Sequence, residues 1–293
     1  MSETTQTELP DGIHKLPMEA YRAAPGISKL ALDIFHDCLA DYEAYLDGRL
    51  PSRTTDAMEY GTLLHALVLD EPLRFHVHPA TYGPDAKKWN NSATECKEWN
   101  AAHSDRAVLS PAEATALNAT ASAVRRDPKA KRLLDAAELT EASCFVTDAA
   151  TRLRLKGRPD IIGPDFICDL KTAADASTWA FAGSIGKYRY HVQAAMYRRI
   201  LGQLGRDTKH WYFIVVESGS WPRVNVRRLT DLAIVQGEVD LESDLAQLQE
   251  CMEDGCWPGL SGASPDIEPI DIPMRYYTEA KVELNIGGAT LTM

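Results

Sequence analysis

The chain has 293 residues, 45% of them hydrophobic, and a net charge of −11. That is enough for one large domain or two small ones, and the acidic balance excludes a protein that holds nucleic acid by diffuse positive charge, though not one with a local basic groove. Six cysteines (Cys38, Cys96, Cys144, Cys168, Cys251, Cys256) lack paired spacing, Met1-Ser2-Glu3-Thr4-Thr5 lacks a signal peptide's apolar core, and no apolar run reaches membrane-span length. The sequence therefore reads as cytoplasmic and reduced, with no membrane partner.

Residues 1–16 are polar and read as a disordered terminus. Residues 27–46 show helical spacing, with Ser28 as N-cap and Gly48 and Pro51 as the stop. Residues 55–69 predict a second helix, with Met58, Leu63, Leu64, Leu67 and Val68 on its apolar side. Residues 72–89 are irregular and read as an excursion. Ser110-Pro111-Ala112-Glu113 is a capping box with proline at the first helical position, opening a helix to about Val124. Asp127-Pro128 opens another, to about Leu134.

The pattern then changes. Residues 141–146, 152–156, 158–162 and 166–170 read as four short strands, with the clearest turns at 148–151 and 163–165. Residues 177–185 and 190–201 read as helices. Residues 211–216 read as a buried strand, 223–229 as its partner and 232–252 as a long helix. The tail from Gly259 is rich in Pro, Gly and Asp and reads as peripheral; no internal repeat is visible. The expected organisation is disorder over 1–16, one domain over 17–258 and a tail over 259–293. The expected fold class is α/β (α+β), a central mixed sheet flanked by helices, with a helical N-terminal part.

The strongest chemical signal is Gly157-Arg158-Pro159-Asp160-Ile161-Ile162 followed by Cys168-Asp169-Leu170-Lys171-Thr172. Alternate side chains of a strand share a face, so Asp169 and Lys171 point one way and Leu170 turns into the core. A tight turn would bring Asp160 beside them. Two carboxylates and an ammonium at one point suit Mg²⁺ and a water facing a phosphodiester. D-x-K alone arises often by chance; its weight here comes from both acids closing apolar runs.

Glu141 opens the neighbouring strand and reads equally as a further ligand or an ordinary exposed glutamate. A lone His65 amid Gly61-Thr62-Leu63-Leu64-His65-Ala66-Leu67 is more often a core residue. It becomes a ligand if its helix faces the carboxylates, and an imidazole would let Mn²⁺ substitute for Mg²⁺. Gln193 and Tyr197 share a helix face and can reach Lys171 or a phosphate. Arg152, Arg154, Lys156 and Arg158 alternate toward Asp160 and read as a row of cations tracking DNA phosphates. Trp89, Trp99 and Trp179 read as packing residues or base-stacking ones. No G-x-x-x-x-G-K-[ST], G-x-G-x-x-G or H-E-x-x-H motif is present, and Cys251 and Cys256 with Cys38 lack zinc-site spacing.

Taken in order, Gly61-Thr62-Leu63-Leu64-His65, Gly157-Arg158-Pro159-Asp160, Asp169-Leu170-Lys171-Thr172 and Gln193-Ala194-Ala195-Met196-Tyr197 resemble the motifs of the PD-(D/E)xK nuclease superfamily. They look most like the RecE-type exonucleases of phages and prophages, with lambda exonuclease and the RecB nuclease domain more distant. The resemblance spans roughly 21–258, and Gly255-Cys256-Trp257-Pro258-Gly259 looks like an ending of this group. It implies a restriction-endonuclease-like core. It implies His65, Asp160 and Asp169 as metal ligands, helped by the Leu170 carbonyl, with Lys171 as the catalytic lysine. Gln193 and Tyr197 would support Lys171 and the DNA, and Glu141 matches an acidic residue of relatives less securely.

The resemblance further implies digestion of linear duplex DNA from a 5′ end, leaving a 3′ single strand for an annealing recombinase. The enzyme would be a homo-oligomeric ring acting on double-stranded DNA ends. Cas4-type and AddB-type relatives carry an iron–sulfur cluster on four cysteines, a spacing that Cys38, Cys251 and Cys256 do not match. Two other readings stay open: a non-catalytic DNA-binding or assembly module of the same fold, and a structure-specific endonuclease. The intact set Asp160, Asp169 and Lys171 favours an enzyme.

Overall fold

In the computed structural model of the chain, Gly12–His14 already forms a strand, β1, which corrects the expectation of disorder through residue 16. The Asp11 carboxylate anchors it, accepting from the Thr147 backbone N–H at 3.0 Å and pairing with Arg154. The structure describes residues 9–51, 55–69, 72, 75–219, 221–262, 264, 266, 267, 269–273, 283–286 and 289–292; residues 1–8 lie outside them.

After α1 (Met18–Ala23), the single helix expected over 27–46 is two helices, α2 (Lys29–Asp37) and α3 (Leu39–Leu46). Ser28 caps α2 as its sequence suggests, its Oγ accepting from the Ala31 N–H at 3.2 Å. Cys38 is extended (φ −164°, ψ 121°) and separates the two. The apolar spacing runs on across the break because both helices bury rings against each other, Phe35 and Tyr42 at 5.5 Å.

Thr55 caps α4 (Asp56–Val68), which buries Leu63, Leu64 and Val68. Met58 is exposed, which corrects its place on the apolar side. The excursion over 72–89 contains β2 (Phe75–Val77), β3 (Thr81–Tyr82) and β4 (Lys87–Lys88), and the segment continues through α5 (Thr94–Ala102) to β5 (Ala107–Leu109), which pairs with β2. His78 stacks on Trp89 at 4.4 Å, Trp89 meets Trp99 edge-on at 5.6 Å, and Trp99 stacks on His103 at 3.8 Å. Trp89 and Trp99 are thus packing residues of this segment, whereas Trp179 is 89% exposed. The capping box opens α6 (Pro111–Arg126), and Asp127 caps α7 (Pro128–Asp135).

The four expected strands are divided between two sheets. β7 (Ser143–Thr147) and β8 (Arg154–Gly157) join β1 in an antiparallel sheet of order β1-β7-β8. β6 (Leu139–Thr140), β9 (Ile161–Ile162) and β10 (Phe166–Ala173) join β11 (His210–Glu217) and β12 (Val224–Arg228) in the order β12-β11-β10-β9-β6. Only the β10–β11 pair of this larger sheet is parallel, so it is mixed. Glu141 does not begin a strand: it sits between β6 and β7 with φ +49°, and its left-handed turn redirects the chain from one sheet to the other.

Between β10 and β11 lie α8 (Thr178–Lys187) and α9 (Tyr190–Gln203), and α10 (Asp231–Asp254) follows β12. α4, α6 and α7 pack on the sheet face carrying Cys168, Leu170, Ile214 and Val216. α2, α9 and α10 pack on the face carrying Ile167, Trp211, Phe213 and Val215. Strand alternation therefore places Asp169 and Lys171 on the α9 side. α9 and α10 approach so closely that a Cβ on Gly237 would lie 2.2 Å from the His191 carbonyl oxygen.

The chain divides into two compact units, Met1–Trp257 and Pro258–Met293. The second contains a hairpin, β13 (Glu283–Ile286) with β14 (Ala289–Thr292), which its Pro- and Gly-rich composition does not announce. Among the described residues no helix is long and apolar enough to cross a membrane.

Candidate active site

The site exists because β9 is only two residues long. It pairs with β10 at Ile167 and Cys168, and from there β10 has no strand on that edge. Two side chains take over the exposed backbone groups. Asp160 Oδ2 accepts from the Leu170 N–H at 2.7 Å, and His65 Nε2 donates to the Leu170 carbonyl at 2.8 Å. A carbonyl only accepts, so Nε2 of His65 bears a proton, and Nδ1 turns toward the acids.

There Nδ1 lies 3.4 Å from Asp160 Oδ1 and 3.7 Å from Glu141 Oε1. Burial disfavours charge on the imidazole, but the Asp160 and Glu141 carboxylates outweigh it and raise the pKa well above the usual histidine value. His65, Glu141 and Asp160 each offer a ligand atom within 4.8 Å of the others. Glu141 is placed by its own backbone N–H, which donates to the Asp160 carbonyl at 3.0 Å.

Asp169 and Lys171 form a second pair on the same edge, 2.6 Å apart. Gln193 bridges them: its Oε1 accepts from Lys171 at 3.2 Å and its Nε2 donates to Asp169 Oδ1 at 3.0 Å. Burial pushes the Asp169 carboxyl up to about 6, with Lys171 opposing and Asp160 reinforcing the shift. Burial acts against the Lys171 charge too, yet Asp169, Tyr190 and Asp160 raise its pKa above the usual lysine value. Lys171 is therefore an ammonium at neutral pH.

Asp169 Oδ2 is buried and accepts no well-directed hydrogen bond beyond that ion pair. With the carboxylates of Asp160 and Glu141 and one imidazole nearby, this donor set fits a divalent cation that takes mostly oxygen ligands. The Leu170 carbonyl, expected as a ligand, is engaged by His65 in this structure.

Sequence reasoning missed Tyr190, whose ring face lies 4.4 Å from the Lys171 ammonium. The signal was available, since residues 190, 193 and 197 share one helix face. Arg189 fixes the start of that helix, pairing with Asp33 and Asp244. Tyr197 does not reach Lys171. It is 7% exposed, closes over Gly157, and its hydroxyl meets the Arg158 backbone N–H, bracing the chain ahead of Asp160.

The expected row of phosphate-tracking cations is corrected. Lys156 is buried and donates to the carbonyls of Tyr21, Arg22 and Ala24 at 3.2, 3.1 and 2.6 Å. Arg154 pairs with Asp11 and the Leu9 carbonyl, and Arg158 with Glu141, Ser143 and the Leu16 carbonyl. Arg152 sits in a turn (φ +61°), off the strand face and exposed. Alternation correctly marks a shared face for Arg154 and Lys156, but the N-terminal segment already occupies that face.

No curated protein matches this chain closely enough to count as a relative. A crystal structure at 2.19 Å of a candidate exonuclease from Eubacterium rectale is similar over 89% of this chain and 97% of that one. The TM-score is 0.61 and the identity 13%, so the likeness is one of fold. Residues 28–266 match the model of the PDDEXK-like domain of unknown function (DUF3799), and the chain belongs to that family.

Proposed function

We propose that the protein is a divalent-metal-dependent DNA exonuclease that degrades linear duplex from 5′ ends and leaves 3′ single strands for recombination. The observation that carries this reading is the meeting of Asp160, Asp169 and Lys171 where β10 loses its neighbour strand. His65, Asp160 and Glu141 would hold the cation, with Asp169 beside them. When bound, Mg²⁺ or Mn²⁺ supplies Lewis-acid stabilisation of phosphate charge and makes water a better nucleophile.

The chain's own residues set the geometry. Gln193 fixes Lys171 against Asp169, and the Tyr190 ring supports the ammonium from another side. The Lys171 charge then faces the scissile phosphate and offsets negative charge that grows there. Water oxygen bonds to phosphorus, the P–O3′ bond breaks, and the 3′ oxygen leaves with a proton, giving a 5′-phosphate product. On the RecE-type resemblance, the working form is a homo-oligomeric ring on duplex ends and the partner an annealing recombinase.

The test is purified protein with Mg²⁺ on linear and covalently closed circular duplex, with one 5′ end labelled. Progressive loss of the linear form alone, with early release of the 5′ label, is the expected result. Cutting of closed circles would make it an endonuclease. Binding without cleavage in both Mg²⁺ and Mn²⁺ would make it a binding module.

A further inference from the structure

Arg158 has an unusually complete set of partners for a residue two positions before a ligand candidate. Its side chain is 7% exposed. Nε donates to Glu141 Oε2 at 2.7 Å, and Nη1 donates to Ser143 Oγ at 2.6 Å and the Leu16 carbonyl at 2.9 Å. The guanidinium also lies 5.8 Å from the centre of the Tyr21 ring. Pro159 restricts Arg158 to extended backbone, so the side chain leaves the main chain in one direction.

Glu141 is held at both ends. Its backbone is tied to the Asp160 carbonyl and its Oε2 to Arg158, while Oε1 faces His65 Nδ1 at 3.7 Å. Its φ of +49° lies in the left-handed region, which is strained for a non-glycine residue. Asparagine or glycine would turn the chain there at less cost. A glutamate is worth that strain where its carboxylate is needed at the place the turn delivers it.

We propose that Arg158 is a positioning residue that aims Glu141 at the cation shared with His65 and Asp160, and that it does not contact DNA. The inference rests on the metal-dependent reading above. Arg158 immobilises one carboxylate oxygen and leaves the other to the metal, as outer partners of metal ligands do.

The experiment is calorimetric titration of Mn²⁺ into the full chain, without DNA, for wild type, Glu141→Gln, Arg158→Met, Arg158→Lys and the Glu141→Gln/Arg158→Met double variant. Thermal melting confirms that each is folded. Arg158→Met should weaken Mn²⁺ binding about tenfold or more, as loss of an outer partner typically does. Arg158→Lys keeps the charge but loses the fork and should recover only part of that. In the Glu141→Gln background Arg158→Met should add less than about twofold, because the two act through one carboxylate. Wild-type affinity in folded Arg158→Met, or an equal loss in both backgrounds, overturns the inference. If Arg158→Met does not fold, unchanged affinity in Arg158→Lys overturns it. Wild type that binds no Mn²⁺ contradicts the metal-dependent reading itself, an outcome separate from these.

Discussion

The Asp160 carboxylate stands in for a missing strand residue, accepting from the Leu170 N–H at 2.7 Å while its other oxygen faces His65 at 3.4 Å. One side chain thereby ends the β9–β10 ladder and opens the site. Asp160→Asn separates the two duties. The amide oxygen can still accept from Leu170, so stability should change by only about 1 kcal/mol, within the usual worth of one hydrogen bond. The charge facing His65 is lost, and cleavage should fall at least a hundredfold. Urea melting and a nuclease assay on the same preparation check both halves.

Gly157 is required by close packing. A Cβ there would lie 2.9 Å from two ring carbons of Tyr197 and 3.3 Å from Ile200 Cδ1. Gly157→Ala should destabilise the fold by about 1–3 kcal/mol, the usual cost of overpacking. Gly157→Ala combined with Tyr197→Leu should regain part of that. Denaturation midpoints of the two variants decide it.

Asp148 predicts acid sensitivity away from the site. It is fully buried and accepts from Arg199 at 2.7 and 2.8 Å, from Gln203 at 2.7 Å, and from the Thr151 backbone and hydroxyl at 2.9 and 2.7 Å. Burial alone would raise its pKa, but Arg199, Thr151 and Gln203 outweigh it and hold the carboxyl far below the ordinary range. The unfolded chain therefore binds the proton more readily, and this stabilisation is full at neutral pH and lost as pH falls below about 4. Asp148→Ala should cost about 3 kcal/mol at pH 7, as breaking a buried ion pair does. The gap from wild type should narrow at pH 3.5 in urea denaturation at both pH values.

The sequence makes legible the features that depend on neighbours in the chain. The Ser110–Glu113 capping box forms as its spacing requires. The alternation in Asp169-Leu170-Lys171 puts Leu170 in the core and the charges together on the face that α9 covers, where Gln193 meets Lys171. The mixed sheet between helices was legible in the order of the elements, and the PD-(D/E)xK superfamily in the resemblance of four motifs to known nucleases, which the match to a PDDEXK-like domain bears out.

The rest depended on distant partners. Periodicity shows which face a residue occupies but not what covers it, so Arg154 and Lys156 looked free although residues 9–24 receive them. The division of the meander into two sheets turns on one left-handed residue, Glu141, a conformation glutamate rarely signals. Cys38 breaks a helix without glycine or proline, and only the packing of Phe35 on Tyr42 accounts for the apolar pattern continuing past it.

The central claim is that Lys171, held by Asp169 and Gln193, is the catalytic ammonium, and Lys171→Met tests it most directly. The measurement is the rate of 5′-labelled linear duplex degradation in Mg²⁺ by wild type and variant, with melting temperature and Mn²⁺ affinity recorded alongside. The account predicts a folded variant that still binds Mn²⁺ and cleaves at least about a hundredfold more slowly, the scale of losing one preorganised charge stabiliser. A folded Lys171→Met protein that degrades the duplex at near wild-type rate would contradict it.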